Sequence, residues 1–245
     1  RQLIAEAVGI TDGPVIVDGA KTEGVDSILR EVRKRVEVGE AISKAHGKLF
    51  WFEASGDVFA DWLPKGDWTV GRFRTAPGVF SADGIDPASE ALAQALPAHL
   101  GAHVADLGGG WGYLSDHLLQ DDKLKTLDLV EADRIALDCA RANLDDPRMR
   151  FHWADARSWA PEAKLDAVVM NPPFHTARAA DPELGRDFIR AAARILHTGG
   201  RLWMVANRHL PYESVLRERF GSVEDVGGDS RFKTVCTQRP LRIAR

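Results

Sequence analysis

The sequence is poor in cysteine, with only Cys139 and Cys236 among 245 residues. Two isolated cysteines give neither a metal-ligand spacing nor a disulfide framework, so a reducing, cytoplasmic setting is expected. There is no run of 18 apolar residues, so no membrane-spanning helix and no membrane partner is expected. The first residues, Arg1-Gln2-Leu3-Ile4-Ala5-Glu6-Ala7, lack the order of a signal peptide. A starting Met is also missing, and a truncated or processed chain is expected. Internal repeats and low-complexity stretches are absent. No charge of one sign dominates: the formal net charge is −4, which argues against a generic polyanion binder. The distribution is uneven, however, with a net +5 over residues 171–245 and −9 over the remainder. That basic last third suits a phosphate backbone, or is ordinary solvated surface.

What is present is an ordinary globular mix, 44% hydrophobic and 28% charged. The length allows one large domain, or one and a half. Residues 1–68 read as a short helix, a strand at 14–17, a helix from about Gly24 and a strand at 49–52. This is α/β material, but too little to close a sheet alone. The turn cluster Pro64-Lys65-Gly66-Asp67 marks a boundary. The expected domains are therefore 1–68 and 69–245.

Beyond the boundary a βα alternation sets in. Asp86-Pro87 caps a helix running to about Leu96, with Pro in its first turn. Strands are expected at 103–107, 127–131, 150–153, 165–170 and 201–206, with helices at 112–120, 133–145 and 182–196. Gly199-Gly200 stops the last of these helices. Pro211 begins one more helix, to about Phe220, before strands near 222–226 and 234–239. Such alternation predicts an α/β fold, a seven-stranded, mostly parallel sheet with helices on both faces.

Four places in this frame carry chemistry. The first is Asp106-Leu107-Gly108-Gly109-Gly110-Trp111-Gly112, between a strand and a helix. Glycines at 108, 110 and 112 permit a tight turn and close ligand approach. A dinucleotide loop would read G-x-G-x-x-G and seat a pyrophosphate. The G-x-G-x-G spacing with Asp106 two residues ahead suits a ligand bearing a cationic amine instead. The second place is Glu131, ending the next strand, where an acid accepts both hydroxyls of a ribose. Asp133 reads as the N-cap of the following helix. The third is Asp155-Ala156, after the third strand. Asp155 there accepts from an adenine amine, and the Ala156 N–H reaches a ring nitrogen; a plain turn Asp is the alternative.

The fourth place is Asn171-Pro172-Pro173-Phe174-His175, directly after an apolar strand. Two prolines hold the chain extended and forbid helix. The Asn171 amide oxygen and the Pro172 carbonyl then point into one small volume. Two such acceptors suit an NH2 donor on a planar, conjugated group, orienting its nitrogen and stabilising positive charge that grows there. Phe174 is placed to stack on the ring.

The order D-x-G-x-G-x-G, acid, Asp, N-P-P-F resembles the class I S-adenosylmethionine-dependent methyltransferases, which are Rossmann-like. More narrowly, Pro77–Ser81 with Asp83-Gly84-Ile85-Asp86, then Asn171–His175, Ala206–Tyr212 and Ser230–Lys233 resemble the bacterial ribosomal-RNA guanine-N2 methyltransferases, chiefly the small-subunit 16S enzymes with their "methyltransferase small" domain. The resemblance covers about residues 69–245. Residues 1–68 look like the C-terminal half of that family's N-terminal domain, a degenerate methyltransferase-like copy that helps bind RNA.

The resemblance implies that Asp106, Gly108, Gly110, Glu131, Asp155 and Ala156 bind S-adenosylmethionine. Asn171, Pro172 and Phe174 would hold the guanine, with Pro173, His175 and Phe80 beside it and Asp86 lining the N-terminal side. Phe80 reads equally as plain core. Transfer to guanine N2 of 16S rRNA is expected, with the small ribosomal subunit or its RNA as partner, by a monomer needing no metal. The large-subunit guanine-N2 enzymes share N-P-P-F-H, so 23S rRNA stays open. Adenine N6 and protein glutamine are further acceptors, although glutamine enzymes place Tyr where Phe174 stands. A catalytically dead RNA-binding assembly module is the non-enzymatic alternative.

Overall fold

A computed structural model of the chain describes residues 1–10, 13–44, 46–54, 56–63, 66, 68–173, 175–176, 179–180 and 182–241. The chain divides into two compact units, Arg1–Gly66 and Asp67–Arg245. Among the described residues no helix is long and apolar enough to cross a membrane.

The first unit runs α1 (Gln2–Ile10), β1 (Pro14–Ala20), α2 (Val25–Arg33), β2 (Ile42–Lys44) and β3 (Gly47–Glu53). Its sheet is antiparallel in the order β1-β3-β2. Val25, Leu29 and Val32 of α2 fall at helical spacing and are buried together with Phe50, Phe52 and Phe59. A three-stranded sheet with its own apolar cluster is more than the sequence promises. The extra strand, β2, is exposed at all three residues, so it carries no alternation to read.

The second unit opens with a hairpin, β4 (Trp68–Val70) and β5 (Phe73–Thr75), and α3 (Pro87–Ala95). The alternation continues through β6 (His103–Leu107), α4 (Tyr113–Leu118), β7 (Thr126–Glu131), α5 (Arg134–Asn143), β8 (Met149–Trp153) and β9 (Leu165–Met170). A short pair, β10 (His175–Thr176) and β11 (Ala179–Ala180), precedes α6 (Pro182–Ile195), β12 (Leu196–Asn207), α7 (Glu213–Arg219), β13 (Phe220–Gly228) and β14 (Phe232–Pro240). The seven-stranded sheet has the order β13-β14-β12-β9-β6-β7-β8. Pairings are parallel from β12 to β8, and β14 runs antiparallel to both its neighbours.

Why helices cover both faces follows from the period of two along each strand. Ala105, Val168, Met170, Leu202 and Met204 pack on one face with Phe188, Ile189 and Ile195 of α6 and Val215 and Leu216 of α7. Their strand neighbours Val104, Ala167, Val169, Trp203 and Val205 pack on the other with Leu92 of α3 and Leu114 and Leu118 of α4. Each fully buried Leu or Val side chain contributes about 1.5–3 kcal/mol. Both cysteines are buried. Cys139 lies among Phe73, Val79 and Trp111, and Cys236 on the face held by α3 and α4.

Two boundaries depart from expectation. The helix expected to 196 ends at Ile195, and β12 begins at once with Leu196 paired to Leu165. Gly199-Gly200 lies within β12, where the register shifts between Leu196 and Arg201. It thus makes a β-irregularity rather than a helix stop. The last helix starts at Glu213, two residues beyond Pro211.

From β6 the chain moves outward through β7 to β8, then returns to the other side of β6 as β9. That reversal is a topological switch point, and a crevice opens outside the C-terminal ends of such strands. Leu107, Glu131, Trp153 and Met170 are those ends.

Candidate functional site

The glycine loop after β6 is pinned from below. The N–H groups of Gly108 and Gly109 both donate to the Val130 carbonyl, at 2.8 and 3.3 Å. Gly108, Gly110 and Gly112 have φ of 71°, 55° and 97°, the left-handed region where a side chain is strained. Gly109 is needed for a different reason: a Cβ there would lie 2.6 Å from Leu129 Cγ. Asn143 of α5 braces the loop from its far side. Its amide nitrogen donates to the Trp111 and Arg74 carbonyls, each at 2.9 Å, and its oxygen accepts from Arg74 N–H at 2.7 Å. The Trp111 indole N–H donates to the Phe80 carbonyl at 3.0 Å.

Glu131 closes the loop from the next strand. Its Oε2 accepts from Gly110 N–H at 2.9 Å, and its Oε1 accepts from Asp133 N–H at 2.8 Å. Each oxygen keeps further lone-pair capacity, the acceptor pattern that two vicinal hydroxyls need. Burial raises its pKa above the ordinary range, against the lowering effect of those backbone donors. Asp133 caps α5, accepting from Ile135 and Ala136 N–H.

Asp106 is placed otherwise than expected. It is fully buried at 0% exposure and lines neither cavity described below. It sits beneath the loop, accepting from Ser115 Oγ at 2.8 Å through Oδ2. Burial pushes its carboxyl up to about 7, with the charge of Glu131 acting in the same sense. Its Oδ1 is buried with no hydrogen-bond partner among the described residues. Asp106 thus lies beneath the loop as a buried carboxyl whose charged form a cation above the loop would favour.

Asn171 leaves the end of β9. Its Nδ2 donates to Asp86 Oδ2 and to Ser89 Oγ, each at 2.9 Å. Both amide hydrogens are thereby used, and the amide oxygen is turned away from these two partners. Asp86 also caps α3, as expected, accepting from Ser89 N–H at 2.8 Å. Pro172 is buried and Pro173 exposed. Phe174 lies outside the described residues, as does the side chain of His175.

These groups surround a cavity of about 340 Å³ walled by Phe80, Gly108, Gly110, Val130, Glu131, Asp155, Ala156, Asn171, Pro172, Pro173, Leu184 and Phe188, among others. A smaller one, about 40 Å³, lies between Asp86, Ser89, Asn171 and the glycine loop. Phe80 is 59% exposed and lines both cavities, which settles its two readings against core. Ala156 is buried against the larger cavity. Asp155 is not the open acceptor the sequence suggests. Arg157 forks onto it, Nη2 to Oδ2 at 2.7 Å and Nε to both oxygens at 3.0 Å. That side-chain hydrogen bonding holds the Asp155 carboxyl below its usual range.

Several site residues escape sequence reasoning: Ser89, Asn143, Arg157, Leu184 and Phe188. Only Ser89 leaves a signal, standing three residues after a helix-capping Asp. The donor set fits a nucleoside with a cationic amino-acid tail. Glu131 suits vicinal hydroxyls, the apolar walls from Val130, Pro172, Leu184 and Phe188 suit a flat ring, and the buried Asp106 carboxyl with its unmet oxygen suits a cation above the loop.

The family model described as "Methyltransferase small domain" matches residues 70–236. The "Ribosomal RNA small subunit methyltransferase C" of Erwinia tasmaniensis is 34% identical over 223 residues, covering 89% of this chain and 60% of its own. That of Hahella chejuensis is 31% identical over 230 residues, covering 88% of this chain and 66% of its own. A solved T. thermophilus 16S rRNA N2 methyltransferase, in complex with AdoMet and guanosine, superimposes with a TM-score of 0.66 at 25% identity. The match covers 94% of this chain and 65% of that one. The chain thus spans just under two thirds of the length of these relatives.

Proposed function

Because the chain belongs to the methyltransferase small domain family, we propose that it transfers a methyl group from S-adenosylmethionine to the exocyclic N2 amine of a guanine in small-subunit ribosomal RNA. The observation that carries this reading is the orientation of Asn171. With both amide hydrogens held by Asp86 and Ser89, the group it offers to a ligand is an acceptor, and the ligand group it suits is an NH2 donor. The names of the relatives and the guanosine in the T. thermophilus complex support guanine as the base.

Bound S-adenosylmethionine supplies a methyl group already activated by its sulfonium. Gly108, Gly110, Glu131, Asp155 and Ala156 are the residues that would hold it, Asp155 once it shares or yields its Arg157 contact, with Asp106 acting from beneath the loop. The protein's own work is alignment. Asn171 Oδ1 and the Pro172 carbonyl accept from the amine, fix the direction of its nitrogen and stabilise the positive charge that grows there. Phe174 is assigned to stack on the base, with Pro173 and Phe80 at its edges and His175 toward the RNA. No residue has to remove a proton beforehand, because a methylated, cationic exocyclic amine releases its proton readily.

The substrate is proposed to be the small ribosomal subunit or its RNA, met by a monomer in the cytoplasm. Arg1–Gly66 is assigned to the degenerate methyltransferase-like domain that helps hold RNA. The test offers labelled S-adenosylmethionine with purified small subunits, large subunits, DNA and a peptide release factor. Label in a 16S guanine is expected, and its loss in Asn171→Ala with cofactor binding kept. Label confined to the large subunit, DNA or protein would replace this substrate, and no label anywhere would remove the enzymatic reading.

A further inference from the structure

Asn171 is a symmetric-looking fork whose two ends have opposite chemistry. Rotated by 180° about its last bond, the amide would present NH2 instead of oxygen to the cavity, and would welcome a carbonyl rather than an amine. What decides between the two is the pair of groups behind it. Asp86 carboxylate accepts hydrogen bonds and donates none. Its Oδ2 is 2.9 Å from Asn171 Nδ2, so an amide oxygen in that place would face a negative oxygen with no hydrogen between them. Asp86 is itself held, because the same Oδ2 takes the Ser89 N–H at the start of α3. Ser89 Oγ takes the second amide hydrogen, and Ser89 is buried at 8% exposure, so water has little room to replace it.

We infer that Asp86 and Ser89 are positioning residues that select the acceptor end of Asn171 and so make the site discriminate for an NH2-bearing base. The inference rests on the proposed base-amine activity for its consequence in turnover, but its structural core stands apart from it. The N-cap of α3 is thereby coupled to the acceptor at the end of β9, two elements 85 residues apart in sequence. Sequence reasoning sees Asp86 only as a cap and a lining residue.

Two substitutions separate this role from helix capping. Asp86→Asn keeps a cap oxygen that Ser89 N–H orients, and that oxygen still accepts from Asn171. Asp86→Ser is an equally good cap but is too short to reach Asn171. We expect Asp86→Asn to keep kcat within about threefold of wild type. Asp86→Ser should lower kcat by up to about 100-fold, the scale of a misplaced contact, with the Kd for S-adenosylhomocysteine unchanged. Ser89→Ala should fall between them. Wild type should prefer guanosine over inosine, which lacks the amine, by about tenfold, the worth of one good hydrogen bond. That ratio should fall toward one in Asp86→Ser and hold in Asp86→Asn.

A readout free of turnover uses the Asn171 side-chain amide protons by NMR. They should exchange slowly with solvent in wild type and Asp86→Asn, and quickly in Asp86→Ser. Slow exchange retained in Asp86→Ser, or equal losses in kcat for Asp86→Ser and Asp86→Asn, would overturn the inference. Equal losses would instead assign the Asp86 charge to direct ligand contact. If wild type transfers no methyl group, the amine reading fails by itself, and the exchange pattern still decides the positioning role.

Discussion

The N–H of Gly110 donates to Glu131 Oε2 at 2.9 Å, so the glycine loop after one strand is anchored on the acid that ends the next. The other oxygen of Glu131 is anchored on Asp133 N–H. Every acceptor Glu131 offers a ligand is therefore held by backbone on both sides.

Replacing Glu131 by Gln tests this directly. A glutamine has one acceptor oxygen, so its NH2 must face either Gly110 N–H or Asp133 N–H, donor against donor. Affinity for S-adenosylhomocysteine is expected to fall about 10- to 100-fold, measured by calorimetry. Unchanged affinity would take Glu131 out of the ligand site.

Asp106 makes stability depend on pH. Its folded pKa is raised to about 7 from 3.8 by burial. Between those values the folded state binds more protons than the unfolded one, so its contribution is full below the unfolded pKa and is lost as pH rises through the folded one. Unliganded wild type should lose on the order of 4 kcal/mol of this contribution between pH 4 and 7, relative to Asp106→Asn, which does not titrate. Urea unfolding of both proteins across that window checks it, and parallel pH profiles would contradict it.

Two adjacent glycines should respond differently to alanine. Gly109→Ala brings a Cβ to 2.6 Å from Leu129 Cγ, an overpacking cost of roughly 1–3 kcal/mol, and lifts the loop from Val130. At Gly110 a Cβ meets nothing within 4 Å, but φ is 55°, worth roughly 1–2 kcal/mol of left-handed strain. Thermal melts with and without S-adenosylhomocysteine should show both variants destabilised without ligand, and ligand stabilisation reduced more by Gly110→Ala, whose methyl enters the larger cavity that Gly110 lines.

Lys233 is a buried cation whose Nζ donates to the Leu210 carbonyl at 2.7 Å and pairs with Glu213. It ties the start of β14 to the turn between β12 and α7. Lys233→Met removes one of two donors to that carbonyl, which keeps Tyr212 N–H at 3.0 Å, and should cost about 0.5–1.5 kcal/mol in urea unfolding. The same variant combined with Glu213→Gln should cost no more than about 0.5 kcal/mol extra, since Glu213 is half exposed.

The parallel core of the sheet was legible because β6, β7 and β9 are buried on both faces and read as apolar runs closed by Gly, Asp or Pro. The hairpin β4–β5 was not, for three-residue strands leave no period to detect. Asn171 announces itself through the prolines that follow it. Asp86 and Ser89 behind it could be seen only once the start of α3 was brought to the residue that follows β9, a contact between distant segments. Asp106 and Asp155 show the other limit. Their positions at strand ends are readable, but burial under a loop and the grip of a neighbouring arginine depend on three-dimensional packing.

The two cysteines give the protein a pair of chemical clocks. Burial pushes the Cys236 thiol up to about 11, so at neutral pH it is protonated as well as covered, and a thiol reagent must wait for β14 to open. Cys139 waits instead on the contact of α5 with Phe73 and Trp111. Their separate labelling rates would time the loosening of the sheet's antiparallel edge and of the layer bracing the glycine loop, without any introduced probe.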